Sequence, residues 1–262
     1  MKIKIALLAM TTTGFVHADT VSTILDINYS DYGIADTTGV SATHYFKAKA
    51  LRGPLDQFSF INSSSFVGVS YEDFEFSNKT KLKGTWHSNN GLFVGVDYRY
   101  QDFDMGSSYD ETSSTIGYQS NKVWSVSATF SDPEGAESRT SFNARYEYAL
   151  GANDWLAFSY STDDDFDSQT INTRYFNTLE NGGYYTLSAA FLMANDFDDE
   201  WAIGGQYYWN NYTSASVSFD DDTYSIGAQH YFNDTWALSA SYTDLDSPDD
   251  DNMWRINLRA QF

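Results

Sequence analysis

The sequence predicts an all-β chain: a transmembrane antiparallel up-and-down β-barrel of about sixteen strands, with short periplasmic turns and acidic extracellular loops. Three observations predict it. Apolar and polar residues alternate with a period of two along most of the chain. The connections alternate between short, mostly neutral turns and longer acidic stretches. Aromatics reach 18 %, yet they are interleaved with Ser, Thr, Asn and Gly instead of forming the aliphatic runs of a two-sided core.

Composition narrows the classes further. The chain has 262 residues, 15 Lys+Arg against 36 Asp+Glu, a formal net charge of −21, and no cysteine. Its aromatic content excludes a disordered chain. The missing cysteines exclude a disulfide scaffold. The acidic balance disfavours nucleic acid as a partner, because acidic surfaces repel phosphates.

Residues 1–18 predict a cleaved signal peptide. Lys2 and Lys4 form a basic n-region, Ile5–Met10 a short apolar h-region, and Val16-His17-Ala18 a small-x-small cleavage site. The mature chain then starts at Asp19 and forms one domain, 19–262. It carries thirteen cations against 36 acids, a net charge of −23. No later stretch is long and apolar enough for a spanning helix.

Strands are predicted at 21–30 and 40–50, where Lys47 and Lys49 are out of phase with Phe46 and Ala48. Residues 51–65 break the rule of short turns. Pro54 suits a first helical turn, and Leu55, Phe58 and Ile61 recur at spacing three. The segment reads either as a short helix tucked against or into the periplasmic mouth, or as a plain loop with an extended middle. Strands follow at 66–76 and 79–87, with Lys81 and Lys83 alternating with Leu82 around a turn at Ser77-Asn78. A count of fourteen stays open there. At 91–102, Leu92, Val94, Val96, Tyr98 and Tyr100 oppose Gly95, Asp97, Arg99 and Gln101. After 110–119 and 122–131, strand 137–150 sets Phe142, Ala144, Tyr146 and Tyr148 against Asn143, Arg145 and Glu147. Strands at 154–163, 168–179, 184–195, 200–209, 212–219, 223–232 and 235–244 lead to 253–262. There Trp254, Ile256, Leu258, Ala260 and Phe262 alternate with Arg255, Asn257, Arg259 and Gln261.

The tryptophans flank the connections. Trp86, Trp124, Trp155, Trp209 and Trp236 sit beside short turns, and Trp201 and Trp254 beside acidic loops. Indoles at strand ends suggest interfacial girdles. Trp155 alone is off the apolar parity of its strand.

If the apolar parity faces lipid, the polar parity faces a lumen. Lys47, Lys49, Lys81, Lys83, Asp97, Arg99, Arg145, Glu147, Arg174, Arg255 and Arg259 are then the expected pore-lining residues, with Asp26 also inward. A Lys or Arg facing lipid at the midplane costs about 2–4 kcal/mol, so this parity is selective. Unpaired cations inside also imply water there. An alternative role for these charges is a structural network such as Arg145 with Glu147.

Chemistry is sparse. The mature histidines are His44, His87 and His230, all read on the apolar parity, with a place in a turn as the alternative for His87, and no Gly-x-Ser-x-Gly elbow occurs. An enzyme is not expected. Asp163, Asp165 and Asp167 have calcium-loop spacing, but Ser168 and Arg174 stand where Gly and Glu belong. A solvated acidic rim is the plainer reading. No cofactor is expected beyond Ca²⁺ or Mg²⁺ held loosely by these loops.

The signal, the alternating strands, the girdle tryptophans, the acidic loops and the terminal Phe262 together resemble a Gram-negative outer-membrane porin of the sixteen-stranded general-diffusion type. The resemblance covers the whole mature chain and rests on architecture. It implies an aqueous channel for small hydrophilic solutes, outer-membrane lipid and lipopolysaccharide as surroundings, a homotrimer, and Phe262 as the assembly signal read by the barrel-assembly machinery. General porins narrow their pore with a long inward-folded third loop. Here that connection, 131–137, is short, which leaves 51–65 or lumen side chains to do it. The alternative function is a closed structural or interaction barrel that presents its acidic loops.

Overall fold

In the computed structural model, residues 20–33, 35–120, 123–151, 154–195, 198–245 and 252–262 are described. The proposed signal at 1–18 lies outside them, as do parts of the turns at 120–122 and 151–154 and of the acidic loops at 195–200 and 244–252.

The described residues form one closed antiparallel barrel of sixteen strands. They are β1 (Thr20–Asp31), β2 (Asp36–Ala50), β3 (Phe66–Phe74), β4 (Ser77–His87), β5 (Leu92–Phe103), β6 (Ser108–Ser120), β7 (Trp124–Pro133) and β8 (Arg139–Ala149). The second half comprises β9 (Trp155–Asp163), β10 (Ser168–Thr178), β11 (Tyr184–Ala194), β12 (Glu200–Tyr208), β13 (Thr213–Asp220), β14 (Thr223–Tyr231), β15 (Trp236–Leu245) and β16 (Asn252–Gln261). Each strand pairs with its sequence neighbours, and β16 returns to β1 through Ile24↔Gln261 to Asp31↔Trp254. The seam is also tied by the Phe262 carbonyl, which accepts from the backbone N–H groups of Ser22 and Thr23. Closure removes every sheet edge, so no backbone group is left facing hydrocarbon.

Sixteen replaces the alternative of fourteen. The turn after β3 is Glu75-Phe76, two residues before the expected Ser77-Asn78, because Phe74 pairs directly with Ser77. Strand β2 also starts earlier than expected. Its first residues pair with Asp31 to Asn28, and Gly39 leaves room for the facing Asn28 side chain.

The outer face is apolar where a water-soluble sheet could not be. Val96 is 57 % exposed, Ile226 52 %, Ile256 50 % and Trp254 57 %. An unbroken apolar band of this extent marks a surface that faces lipid. Six tryptophans lie on it. Trp155 does not: it is 1 % exposed and turned inward. The girdle reading fails for that residue, because its register partner Phe176 shares the inner face.

Of the two readings of 51–65, the loop is the one found, and the helix at 54–61 is absent. Residues 51–65 form an irregular loop, pinched by an antiparallel bridge between Leu51 and Phe58. Spacing three reflects what these side chains touch, not a helical period: Leu55 and Phe58 reach different strands.

Candidate functional site

The loop 51–65 lies inside the barrel. Its contacts establish this, because one short segment can reach so many strands only by crossing the interior. The Leu55 N–H donates to the Asn211 carbonyl at 3.1 Å, and its own carbonyl accepts from Gln261 Nε2 at 3.1 Å. Leu55 packs on Tyr231 and Ala237. Gln57 Nε2 meets the Tyr208 hydroxyl at 2.5 Å, and Gln57 Oε1 accepts from Arg174 Nη2 at 2.9 Å. Glu147 holds the far side: it accepts from Arg52 Nη1 at 2.6 Å and from the Phe60 N–H at 2.8 Å. Phe60 leans on Trp155, which stacks on Phe176, which stacks on Tyr184. The loop is thereby anchored to β8, β9, β10, β12, β14, β15 and β16. At its exit, the Ser65 hydroxyl accepts from the His87 N–H of β4 at 2.8 Å, and the Ser65 carbonyl accepts from the Phe46 N–H of β2 at 3.0 Å. Among the described residues, no hydrogen bond from 51–65 reaches β5, β6 or β7.

Asp56 sits at the centre of this contact. It accepts from Gln57 Nε2 at 3.1 Å and from the Tyr208 hydroxyl at 3.3 Å. Burial raises its carboxyl above the ordinary carboxylate range. Those two hydrogen bonds and the guanidiniums of Arg174 and Arg259 pull the other way without cancelling the effect.

The register sorts the sheet charges by face. Residues that pair in sequence with those touching the loop share the inner face. Lys47 and Lys49 are there on β2, in phase with Tyr45. Lys49 lies 4.9 Å over the Tyr45 ring and 4.5 Å over Phe58. On β4 and β5, Lys81 pairs with Asp97 at 3.1 Å, while Lys83 stands 5.8 Å from the Phe66 ring. Arg99 and Arg139 clamp one carboxylate, Glu111, each at 3.3 Å, so three strands meet at one acid. Arg259 binds Asp26 at 2.8 Å, and Arg255 Nε donates to Ser30 Oγ at 3.1 Å. Among the described residues Arg145 bonds only Asn143, at 3.0 Å, and Arg174 bonds Gln57 and lies 5.8 Å over the Trp155 ring. The Arg145–Glu147 pair weighed from the sequence is not made, since Glu147 is taken by the loop.

Lys79, Arg139, Arg52 and Glu111 belong to the same interior and were not among the expected residues. Lys79 and Arg139 were findable: they share the parity of Lys81 and Arg145. Glu111 was masked by an acidic run that reads as loop, and Arg52 depends on a long-range contact. With them, every Lys and Arg of the sixteen strands faces inward.

His87 is a correction. It faces inward and stacks on Phe93, with ring centroids 5.1 Å apart, because its neighbour Trp86 takes the outer face. His44 and His230 stay outward, bonded to Thr23 and Thr213. At the acidic end, Asp163 Oδ1 accepts from the Asp167 and Ser168 N–H groups, so it shapes its own turn.

Comparison with known proteins agrees with this geometry. A family model described as "Putative general bacterial porin" matches residues 1–262. No curated protein sequence matches the chain. Among solved structures, the Acinetobacter baumannii outer membrane protein Omp33 superposes with a TM-score of 0.64 at 17 % identity, covering 94 % of this chain and 100 % of that one. A triple mutant of the Rhodopseudomonas blastica porin gives 0.50 at 12 % identity, covering 93 % and 99 %. A bacterial polysaccharide outer membrane secretin gives 0.51 at 12 %, covering 95 % and 100 %. At these identities the likeness speaks to the fold, a barrel of the same architecture. The family match, which spans the entire length, speaks to kinship and to role: the chain belongs to the general bacterial porins, outer-membrane channels through which small solutes diffuse passively.

Proposed function

We propose that the channel is narrowed by 51–65 and conducts through the part of the lumen left beside β5 to β7 and the body of β4. The observation that carries this is that the body of the loop, from Arg52 to Phe60, draws its hydrogen bonds to the wall from β8 to β16, and only its exit residue Ser65 bonds β4. The remaining passage is lined by Lys47, Lys49, Lys81, Lys83, Asp97 and Arg99, with Arg145, Glu147, Arg174, Arg255 and Arg259 on the opposite wall. Among the described residues Lys47, Lys79, Arg145, Arg174 and Arg255 have no carboxylate within ion-pair distance. Fixed positive charge in a narrow aqueous passage favours anions, and the acidic connections at the other end concentrate cations at that mouth. Focused fields act at close range in the narrow part, so the channel prefers anionic solutes.

The connections at the acidic end face outward and the short turns face the periplasm. Residues 1–18 are a cleaved export signal, and Phe262 presents the assembly signal to the barrel-assembly machinery. Lipopolysaccharide surrounds the acidic rim, which holds divalent cations only loosely, and the barrel assembles as a homotrimer. Transport is passive and without catalysis, since the three mature histidines are occupied by threonine or aromatic neighbours. The reversal potential of the purified protein in a planar bilayer under a KCl gradient tests the reading. A chloride-directed potential supports it, a potassium-directed one overturns the selectivity, and no conductance overturns the open passage.

A further inference from the structure

The passage contains two guanidiniums with no anion to match them. Arg145 on β8 pairs with Ser159 on β9, and Arg174 on β10 pairs with Ala157, two residues away on β9. Two strand spacings with that offset put their backbones about 12 Å apart on the inner face. Arginine side chains are long enough to converge over that distance. Both line one cavity of about 430 Å³, together with Phe60, Ser159, Asn172 and Ser188. Its floor is rigid, because Phe60 rests on the stacked Trp155 and Phe176 rings.

The local balance of donors and acceptors is lopsided. Glu147, the nearest wall carboxylate in sequence, is spent on Arg52 and the Phe60 N–H. Arg145 uses one donor, on Asn143, and Arg174 one, on Gln57. The remaining donors of both forks have no partner among the described residues. The buried indole N–H of Trp155, beneath the Arg174 guanidinium, has no acceptor either. Surplus planar donors beside an aromatic floor fit a planar oxyanion carried on an apolar body.

We propose that Arg145 and Arg174 form a binding subsite for a small organic carboxylate, held by bidentate guanidinium contacts with its apolar part on Phe60. This rests on the open-passage reading and adds a place where the solute pauses. The subsite makes the loop part of recognition: docking of 51–65 removes Glu147 from competition and supplies the floor.

The test uses the full-length mature protein in planar bilayers with benzoate, acetate and inorganic phosphate as probes. Benzoate is expected to block the chloride current saturably and more tightly than acetate, which lacks the apolar body. Phosphate separates carboxylate recognition from general anion attraction: equal block by phosphate and benzoate overturns the carboxylate assignment. Arg145→Gln touches none of the loop contacts and should weaken benzoate block about tenfold, while the R145Q/R174Q pair should abolish it. Unchanged block in either variant overturns the subsite. Benzoate should also slow phenylglyoxal modification at Arg145 and Arg174 in the wild-type protein, a readout independent of current. Absence of conductance in wild-type channels would instead sink the open passage itself, and protection by benzoate would then still report the subsite.

Discussion

Gly53 and Asp56 show how two side-chain choices set the loop in place. Gly53 has φ of +83°, a left-handed conformation that L side chains avoid, and a Cβ there would meet Tyr184 Cε1 at 2.7 Å. Gly53→Ala should therefore loosen docking, with about 1–2 kcal/mol from the backbone alone. The check is limited trypsin digestion at Arg52, which should be faster in the variant. Asp56 links docking to pH. Its folded carboxyl is raised by burial, so the docked loop takes up a proton more readily than the undocked chain. Docking is firmest below the ordinary carboxylate range and weakens as pH rises through the raised value. Conductance should accordingly fall on acidification through that window, and Asp56→Asn should give a low conductance that no longer varies there.

At the scale of elements, the strands were legible and the loop was not. Period-two alternation writes lipid on one residue and lumen on the next, so Lys81, Arg99, Arg145 and Arg259 could be placed by counting. Where the count slipped, a neighbour gave the answer: Trp86 faces out, so His87 must face in. Trp155 broke parity because it serves the interior stack with Phe60 and Phe176. Residues 51–65 carry no period to read. Leu55 answers to Tyr231 and Ala237, Gln57 to Tyr208, and Phe60 to Trp155, and none of these partners leaves a local trace. Spacing three alone therefore does not separate a helix face from a loop. Deleting 53–63 should leave the barrel intact by heat-modifiable gel migration and raise single-channel conductance severalfold. Unchanged conductance would show that the narrowing lies elsewhere.

For the whole molecule, the net charge of −21 describes no single surface. Every strand cation is turned to the lumen, and most acids of the connections lie at one end, with Asp154, Glu180 and Asp234 at the other. Between the strand ends, the outer face carries neither sign of charge. This arrangement gives an asymmetric expectation for one substitution made on two faces. Ile256→Arg, on the outer face, should cost about 2–4 kcal/mol at membrane depth. Ser239→Arg, on the inner face of the neighbouring strand, should fold with little loss and shift the reversal potential toward anions. Urea titration in bilayers checks the first, and bilayer recording the second.

The docked loop also fixes a timetable. It joins the second and third strands of sixteen, yet its anchors arrive far later in the chain: Glu147 is 87 residues beyond Phe60, Tyr208 is 151 beyond Gln57, and Gln261 is 206 beyond Leu55. Contacts so distant in sequence form late. By the same measure the wall closes last of all, since Ile24 pairs with Gln261, 237 residues away. Closing the wall and seating the loop are thus joined in one event: until Gln261 is in place, a segment made near the beginning of the chain lacks its farthest anchor.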